Sequence, residues 1–315
     1  FDPHRPGQAP ADARFNRSTL GVYEMGSVFK LFNTAIALET GTSNLNSVYD
    51  ATEPLRIARF SIRDYHGENR WLTVPEILVH SSNIGSARMA MAFGGEAQKK
   101  YLKKLGMLDK PEIELPEVGG PLIPNPWREV NTMTISFGHG LAVTPLQVVN
   151  GISSIVNGGI RRPSTILKQD GAPAGERVFS QKTSELLRRL MRLVVTEGSG
   201  KKAEVAGYFL GGKTGTSEKL VNGRYVKNAR MSTFVAAFPM QDPKYVVLVT
   251  LDEPKGTKET YGFATAGWVS APAVGKVVTR IAPLLGIEPA NAKAPEIEQA
   301  LQIELRKGER KLASF

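Results

Sequence analysis

The sequence predicts an α/β (α+β) fold in which an antiparallel sheet follows a mostly helical chain. Apolar residues recur at helical spacing through several segments before residue 200. From Tyr208 the period shortens to that of strands, with turn signals between them. The order, helices first and strands afterwards, lacks the βαβ alternation of a parallel sheet.

Residues 1–21 are Pro-rich coil. Residue 1 is Phe rather than Met, and the expectation is a fragment whose upstream part, targeting segment included, is missing. Val22 to Lys30 then forms a Gly-bearing turn that delivers Ser27 onto a helix, because Leu31, Phe32, Ala35, Ile36 and Leu38 keep helical spacing until Gly41. Residues 44–71 are irregular and extended. Pro75 opens a short helix through Val79, favourably placed in a first turn. It breaks at Ser81-Ser82-Asn83, and a third helix runs from Ile84 to Gly94-Gly95, with 97–105 also helical. Pro and Gly make 111–126 a loop. Thr144-Pro145 opens another helix through Ile155, and 184–195 is amphipathic with Leu186, Leu187, Leu190, Leu193 and Val194 inward. Gly211 to Thr216 reads as a strand, Asn222-Gly223 as a hairpin turn, and 231–238 and 245–251 as paired antiparallel strands. A closing helix spans about 265–285, and 296–310 is a charged tail with room for a helix.

Composition narrows the function. Hydrophobic content of 41% and charged content of 22% belong to a globular chain that can bury a core, so disorder is not indicated. A net charge of +10 suits an anionic surface, but the basic residues are scattered without interleaved aromatics, and no nucleic-acid motif is present. With no cysteine, disulfides and thiolate metal sites are excluded. His4, His66, His80 and His139 are far apart in sequence, so no metal and no cofactor is expected. His139 lies between two glycines and reads as a turn residue. No apolar run approaches the roughly 20 residues that cross a bilayer.

Two motif readings compete at one place. Gly207 to Thr214 fits the phosphate-cradling pattern G-x-x-x-x-G-K-[ST], with 246–253 imitating its acidic strand, which would make an ATPase. That pattern needs Lys-Thr to open a helix facing the phosphates. Gly215 and the Asn222-Gly223 turn leave no room for one.

The other reading takes Ser27-x-x-Lys30, Ser81-x-Asn83 and Lys213-Thr214-Gly215 together. Residues three apart share a helix face, so Lys30 can reach the Ser27 hydroxyl and, if kept neutral, take its proton. Alone, Ser81 and Asn83 equally suit a helix break and cap. The ordered triple, with flanks Ser81-Ser82-Asn83-Ile84-Gly85, Ser136-Phe137-Gly138-His139-Gly140, Thr144-Pro145-Leu146-Gln147 and Gly212-Lys213-Thr214-Gly215-Thr216, resembles the class B, monofunctional penicillin-binding proteins. The likeness is greatest to the division-specific septal transpeptidases of Gram-negative bacteria and covers about 1–287.

That resemblance implies a penicillin-recognising fold: an antiparallel sheet flanked by helices beside an all-helical region that contributes Ser81 and Asn83. It divides the chain into a transpeptidase domain, 1–287, with a helical subregion at about 42–205, strands at about 206–254 and a closing helix, followed by a tail, 288–315. It implies peptidoglycan D,D-transpeptidation through a Ser27 acyl-enzyme, the donor being a D-Ala-D-Ala stem peptide and the acceptor an amine. Lys30 is then the base, Ser81 a proton relay, and Asn83 a partner of Lys30 and of the substrate amide. The backbone N–H groups of Ser27 and Thr216 form the oxyanion hole, and Lys213, Thr214 and Thr216 grip the carboxylate beside Gly215. β-Lactam antibiotics are implied as covalent ligands, and divisome proteins, including a membrane glycan polymerase, as partners. The implied location is the periplasmic face of the bacterial inner membrane, reached by an N-terminal anchor and a non-catalytic domain outside this chain. Alternatives of the same chemistry are a D,D-carboxypeptidase, a β-lactamase, or a β-lactam-sensing receptor. Sensors and related β-lactamases usually carry Val where this chain has Asn83, and no Glu-x-x-Leu-Asn loop is present to activate water. Met25 stands where the family usually has Pro.

Overall fold

The structure, a computed structural model, describes residues 2, 4–57, 60–221, 224–291, 294–303 and 305. A 3₁₀ turn at Gly26–Val28 runs directly into helix α1, Phe29–Glu39, whose residues 29–37 are all buried. A helix buried on every side lies in the middle of a core, and α1 carries Lys30, Asn33 and Thr34 there among its apolar residues. It stops at Gly41, which takes the positive φ of 72° that a glycine tolerates.

Two antiparallel ribbons come next, β1 (Val48–Asp50) paired with β4 (Trp71–Thr73) and β2 (Leu55–Ile57) with β3 (Phe60–Ile62), where the sequence shows only extended chain. Helix α2, Val74–Val79, starts on a reciprocal Thr73–Glu76 capping box with Pro75 in its first turn. Ser81 breaks it with a φ of 56°, and Ser82 caps α3, Asn83–Lys104, by accepting from the Gly85 amide. Gly94 (φ 80°, ψ 166°) kinks α3 between its two predicted halves. Helix α4, Glu129–Ile135, has no counterpart among the predicted elements. Helix α5, Pro145–Val156, opens on the Thr144–Gln147 box, and after the small ribbon β5 (Ile160–Arg161) and β6 (Glu176–Arg177) comes α6, Gln181–Thr196.

The main sheet has the order β7–β8–β9, formed by Gly211–Val221, Arg224–Phe238 and Tyr245–Asp252, all antiparallel. β8 starts seven residues before the predicted Met231, and the Asn222-Gly223 turn lies outside the described residues. Side chains alternate across a strand, so Val235 and Ala237 join the large core of α1, α3, α5 and α6, whereas Phe234, Ala236 and Phe238 join a second core under α7, Ser270–Leu284. Burial on both faces explains the unbroken apolar run in β8. Helix α8, Pro295–Leu301, occupies the start of the predicted tail helix, and the positions after 305 lie outside the described residues. Among the described residues no helix is long and apolar enough to cross a membrane.

Candidate active site

The three short motifs converge at the end of α1. Lys30 Nζ lies 2.6 Å from Ser27 Oγ and donates to Asn83 Oδ1 at 2.7 Å, with Ser81 Oγ at 3.4 Å. From the sheet side, Lys213 Nζ donates to the same Ser81 Oγ at 2.9 Å. Ser81 therefore sits between two lysines, both with 0% exposure.

Two ammonium groups so buried cannot both stay charged cheaply. Burial first, then the charge of Lys213, pushes the Lys30 pKa well below its ordinary value, and Asp64 opposes the shift. Burial alone brings Lys213 down to about 7. A neutral lysine at hydrogen-bond distance from a serine is an activated nucleophile and its base.

Backbone geometry completes the site. Gly26 has a φ of 52°, and a Cβ there would stand 2.7 Å from the Thr216 carbonyl oxygen and 3.1 Å from its nitrogen. A Cβ on Gly215 would stand 2.3 Å from the Met25 carbonyl oxygen. The Ser27 turn and β7 thus touch backbone to backbone, which only glycine allows. Gly138 closes the third side, its missing Cβ falling 1.9 Å from the Gly26 carbonyl oxygen. That contact brings the centre of the Phe137 ring to 5.9 Å from Lys30 Nζ. Thr214 Oγ1 shares a hydrogen bond of 2.6 Å with Ser199 Oγ and lies 3.2 Å from Lys213 Nζ, while Thr216 Oγ1 accepts from the Ala266 amide. Ser27, Ser81, Asn83, Thr214 and Thr216 all line one open cleft of about 470 Å³.

The structure also supplies supporting residues that sequence reading missed. Asp64 accepts from Ser82 Oγ (2.6 Å), the Asn83 amide (2.5 Å) and the Ile84 amide (3.0 Å), fixing the start of α3. Its partners lie 18 to 20 residues away, beyond any local pattern. Ser199, flanked by Gly198 and Gly200, had a readable loop signal. His139 is in the turn segment foreseen for it, but its Nδ1 meets Glu24 Oε2 at 3.1 Å, and Tyr225 donates to the same carboxylate at 2.9 Å. Lys213-Thr214, finally, lie inside strand β7, so the phosphate-loop reading fails on its required helix.

An antiparallel sheet flanked by helices, with a serine beside a buried lysine of lowered pKa where the sheet meets the helical wall, is the architecture of a serine acyl-transfer domain. The chain belongs to the penicillin binding protein transpeptidase domain family, whose model matches residues 1–275. It is 42% identical over 299 residues to a probable peptidoglycan D,D-transpeptidase FtsI of Caulobacter vibrioides, covering 91% of this chain and 51% of that protein. It is also similar to a probable peptidoglycan D,D-transpeptidase PenA of Neisseria gonorrhoeae, at 35% identity over 92% of this chain and 49% of the relative. The chain spans about half the length of these curated relatives. Among solved structures it resembles the apo transpeptidase domain of penicillin-binding protein 3 from Burkholderia pseudomallei, with a TM-score of 0.81, 31% identity, and coverage of 88% of this chain and 84% of that one.

Proposed function

We propose that this domain catalyses peptidoglycan D,D-transpeptidation in septal wall synthesis and that β-lactams acylate it at the same serine. Ser27 attacks the carbonyl of the penultimate D-Ala while Lys30 takes its proton. Ser81 passes a proton to the departing D-Ala amine, and Asn83 orients Lys30 and donates to the substrate amide. The Ser27 and Thr216 amides hold the oxyanion, each such donor being worth roughly 3 to 4 kcal/mol. Lys213, Thr214 and Thr216 hold the substrate carboxylate, with Gly215 leaving room for substrate backbone along β7.

The observation that carries this reading is the 2.6 Å contact between Ser27 Oγ and a fully buried Lys30 whose pKa burial has driven down. The named functions of the relatives support it. By the same reading residues 1–287 form the catalytic domain and 288–315 an appended tail. The whole protein works at the periplasmic face of the inner membrane, with divisome proteins and a membrane glycan polymerase as partners.

Labelling with a fluorescent penicillin, followed by peptide mapping, tests the proposal. The adduct is expected on Ser27 and absent from Ser27→Ala; stoichiometric labelling of that variant overturns it. A pre-formed adduct that decays within seconds once free drug is removed would favour a hydrolase instead.

A further inference from the structure

The cleft extends past the groups assigned to the donor peptide. On its helical side it is walled by Tyr65, His66, Glu68, Val79 and His80. None of these has a part in the attack of Ser27. His80 directly precedes Ser81, the residue assigned to protonate the departing amine. By microscopic reversibility, the amine that resolves the acyl-enzyme enters where the first one left, beside Ser81.

Negative charge predominates on this wall. His80 is faced by Glu68, Arg70, Glu76 and Asp64, three carboxylates and one guanidinium. The His80 Nδ1 is 3.3 Å from Glu68 Oε1, and Arg70 is held at 2.9 Å by Glu76 but only at 3.8 Å by Glu68. Burial lowers the His80 pKa, although Glu68 opposes the shift, so the ring adds little positive charge at neutral pH. Glu68 is also partly solvent-accessible, at 24% of its side chain. Across the cleft, β7 presents Thr214 with the buried Lys213 3.2 Å behind its hydroxyl, and further along it Glu218, whose register partner Arg230 also lines the cleft. One wall suits an anion and the opposite wall a cation.

We propose that Glu68, with His80 beside it, is the acceptor subsite, taking the protonated primary amine of the incoming peptide or D-amino acid while the acceptor's carboxylate meets the β7 grip. This rests on the transpeptidase reading of the same cleft. The docked ammonium releases one proton to solvent, and the neutral nitrogen attacks the carbonyl carbon of the Ser27 ester. The C–N bond forms as the C–Oγ bond breaks, and a second amine proton passes through Ser81 and Lys30 to Ser27 Oγ. Glu68 acts on docking, so its effect falls on the half-saturating amine concentration.

The test forms the Ser27 acyl-enzyme from an N-acyl-D-alanyl thioester and measures how it partitions between water and added D-alanine. In Glu68→Gln the amide-to-hydrolysis ratio at subsaturating D-alanine is expected to fall about fivefold, the effect of one partly exposed ion pair. Glu68→Asp should fall between that variant and wild type. D-lactate, which keeps the carboxylate and lacks the ammonium, should show no such loss in Glu68→Gln. The ratio is read only on molecules that have been acylated, so a loss of folded protein does not mimic the effect. An unchanged D-alanine ratio in Glu68→Gln overturns the subsite, as does an equal fall for D-lactate. A wild-type chain that forms no Ser27 adduct overturns instead the reading beneath it.

Discussion

Lys30 and Lys213 face each other across one serine hydroxyl, and the proposed reaction asks opposite protonation states of them. In that reaction Lys30 is neutral to accept the Ser27 proton, and Lys213 is charged to hold the substrate carboxylate. The β-lactam acylation rate should therefore be bell-shaped in pH, its acid limb set by the lowered pKa of Lys30 and its alkaline limb near 7 by Lys213. Lys213→Arg keeps its charge and should lose the alkaline limb; a limb that stays in place assigns it elsewhere. Lys30→Arg cannot give up its proton and should acylate about 10² to 10⁴ times more slowly, as rapid-quench labelling would measure. Stability carries the same signature. Between pH 7 and the ordinary lysine value of 10.5, Lys213 binds more proton unfolded than folded, so unfolding free energy should rise with pH across that window. Above about pH 10 Tyr225 reverses the slope, since burial and the Glu24 charge raise its pKa and the unfolded phenol ionises first. At this scale the sequence was readable where partners share a helix turn, as Ser27 and Lys30 do. Asp64 and Glu24 act across folded distance on amides and rings that no spacing rule connects to them.

Among the elements, β7 was the most ambiguous in sequence, because Gly-x-x-x-x-Gly-Lys-Thr can open a helix or run as a strand. Gly215 and the hairpin signal at Asn222-Gly223 favour the strand, and β7 is one through Lys213 and Thr214. Helix α4 escaped because its seven residues lie just beyond a Pro-rich loop and begin on Arg128 and Asn131, where a Ser, Thr or Asp cap would have been recognisable. The site depends most on the close approach of three backbones. Gly215→Ala places a methyl group 2.3 Å from the Met25 carbonyl, and β7 must retreat from the Ser27 turn. The Thr216 amide would then leave its proposed place in the oxyanion hole, and losing one such donor typically costs about 10² to 10³ in rate. Acylation should fall by that factor while the far-UV circular dichroism spectrum persists; near-normal acylation would show that the approach is not needed.

For the whole molecule, the sequence separates a helical stretch from the sheet, but the cores do not divide there. Helices α1, α3, α5 and α6 and one face of the sheet share a single apolar cluster, and α7 covers the opposite face. The sheet flanked by helices was implied by the resemblance, but which helices share its core was not legible, since a helix buried all round, such as α1, gives no exposed face from which its neighbours could be read. It makes a prediction about cooperativity. Trp127 packs against the large cluster from the helical side, whereas Trp268 stacks with Phe263 at 5.3 Å near the start of α7. If the shared core couples the two regions, variants that lack Trp71 and keep only Trp127 or only Trp268 should report the same denaturant midpoint. Phe32 sits in α1 at 1% exposure with Phe29 at 5.3 Å, so Phe32→Ala should cost about 3 to 5 kcal/mol and move both midpoints equally. Separate midpoints, or a Phe32→Ala shift seen by Trp127 alone, would mean that the helical region unfolds on its own. In that case the cleft could open without the sheet melting, and the alignment of Ser81 with Lys213 would depend on an interface rather than on a core.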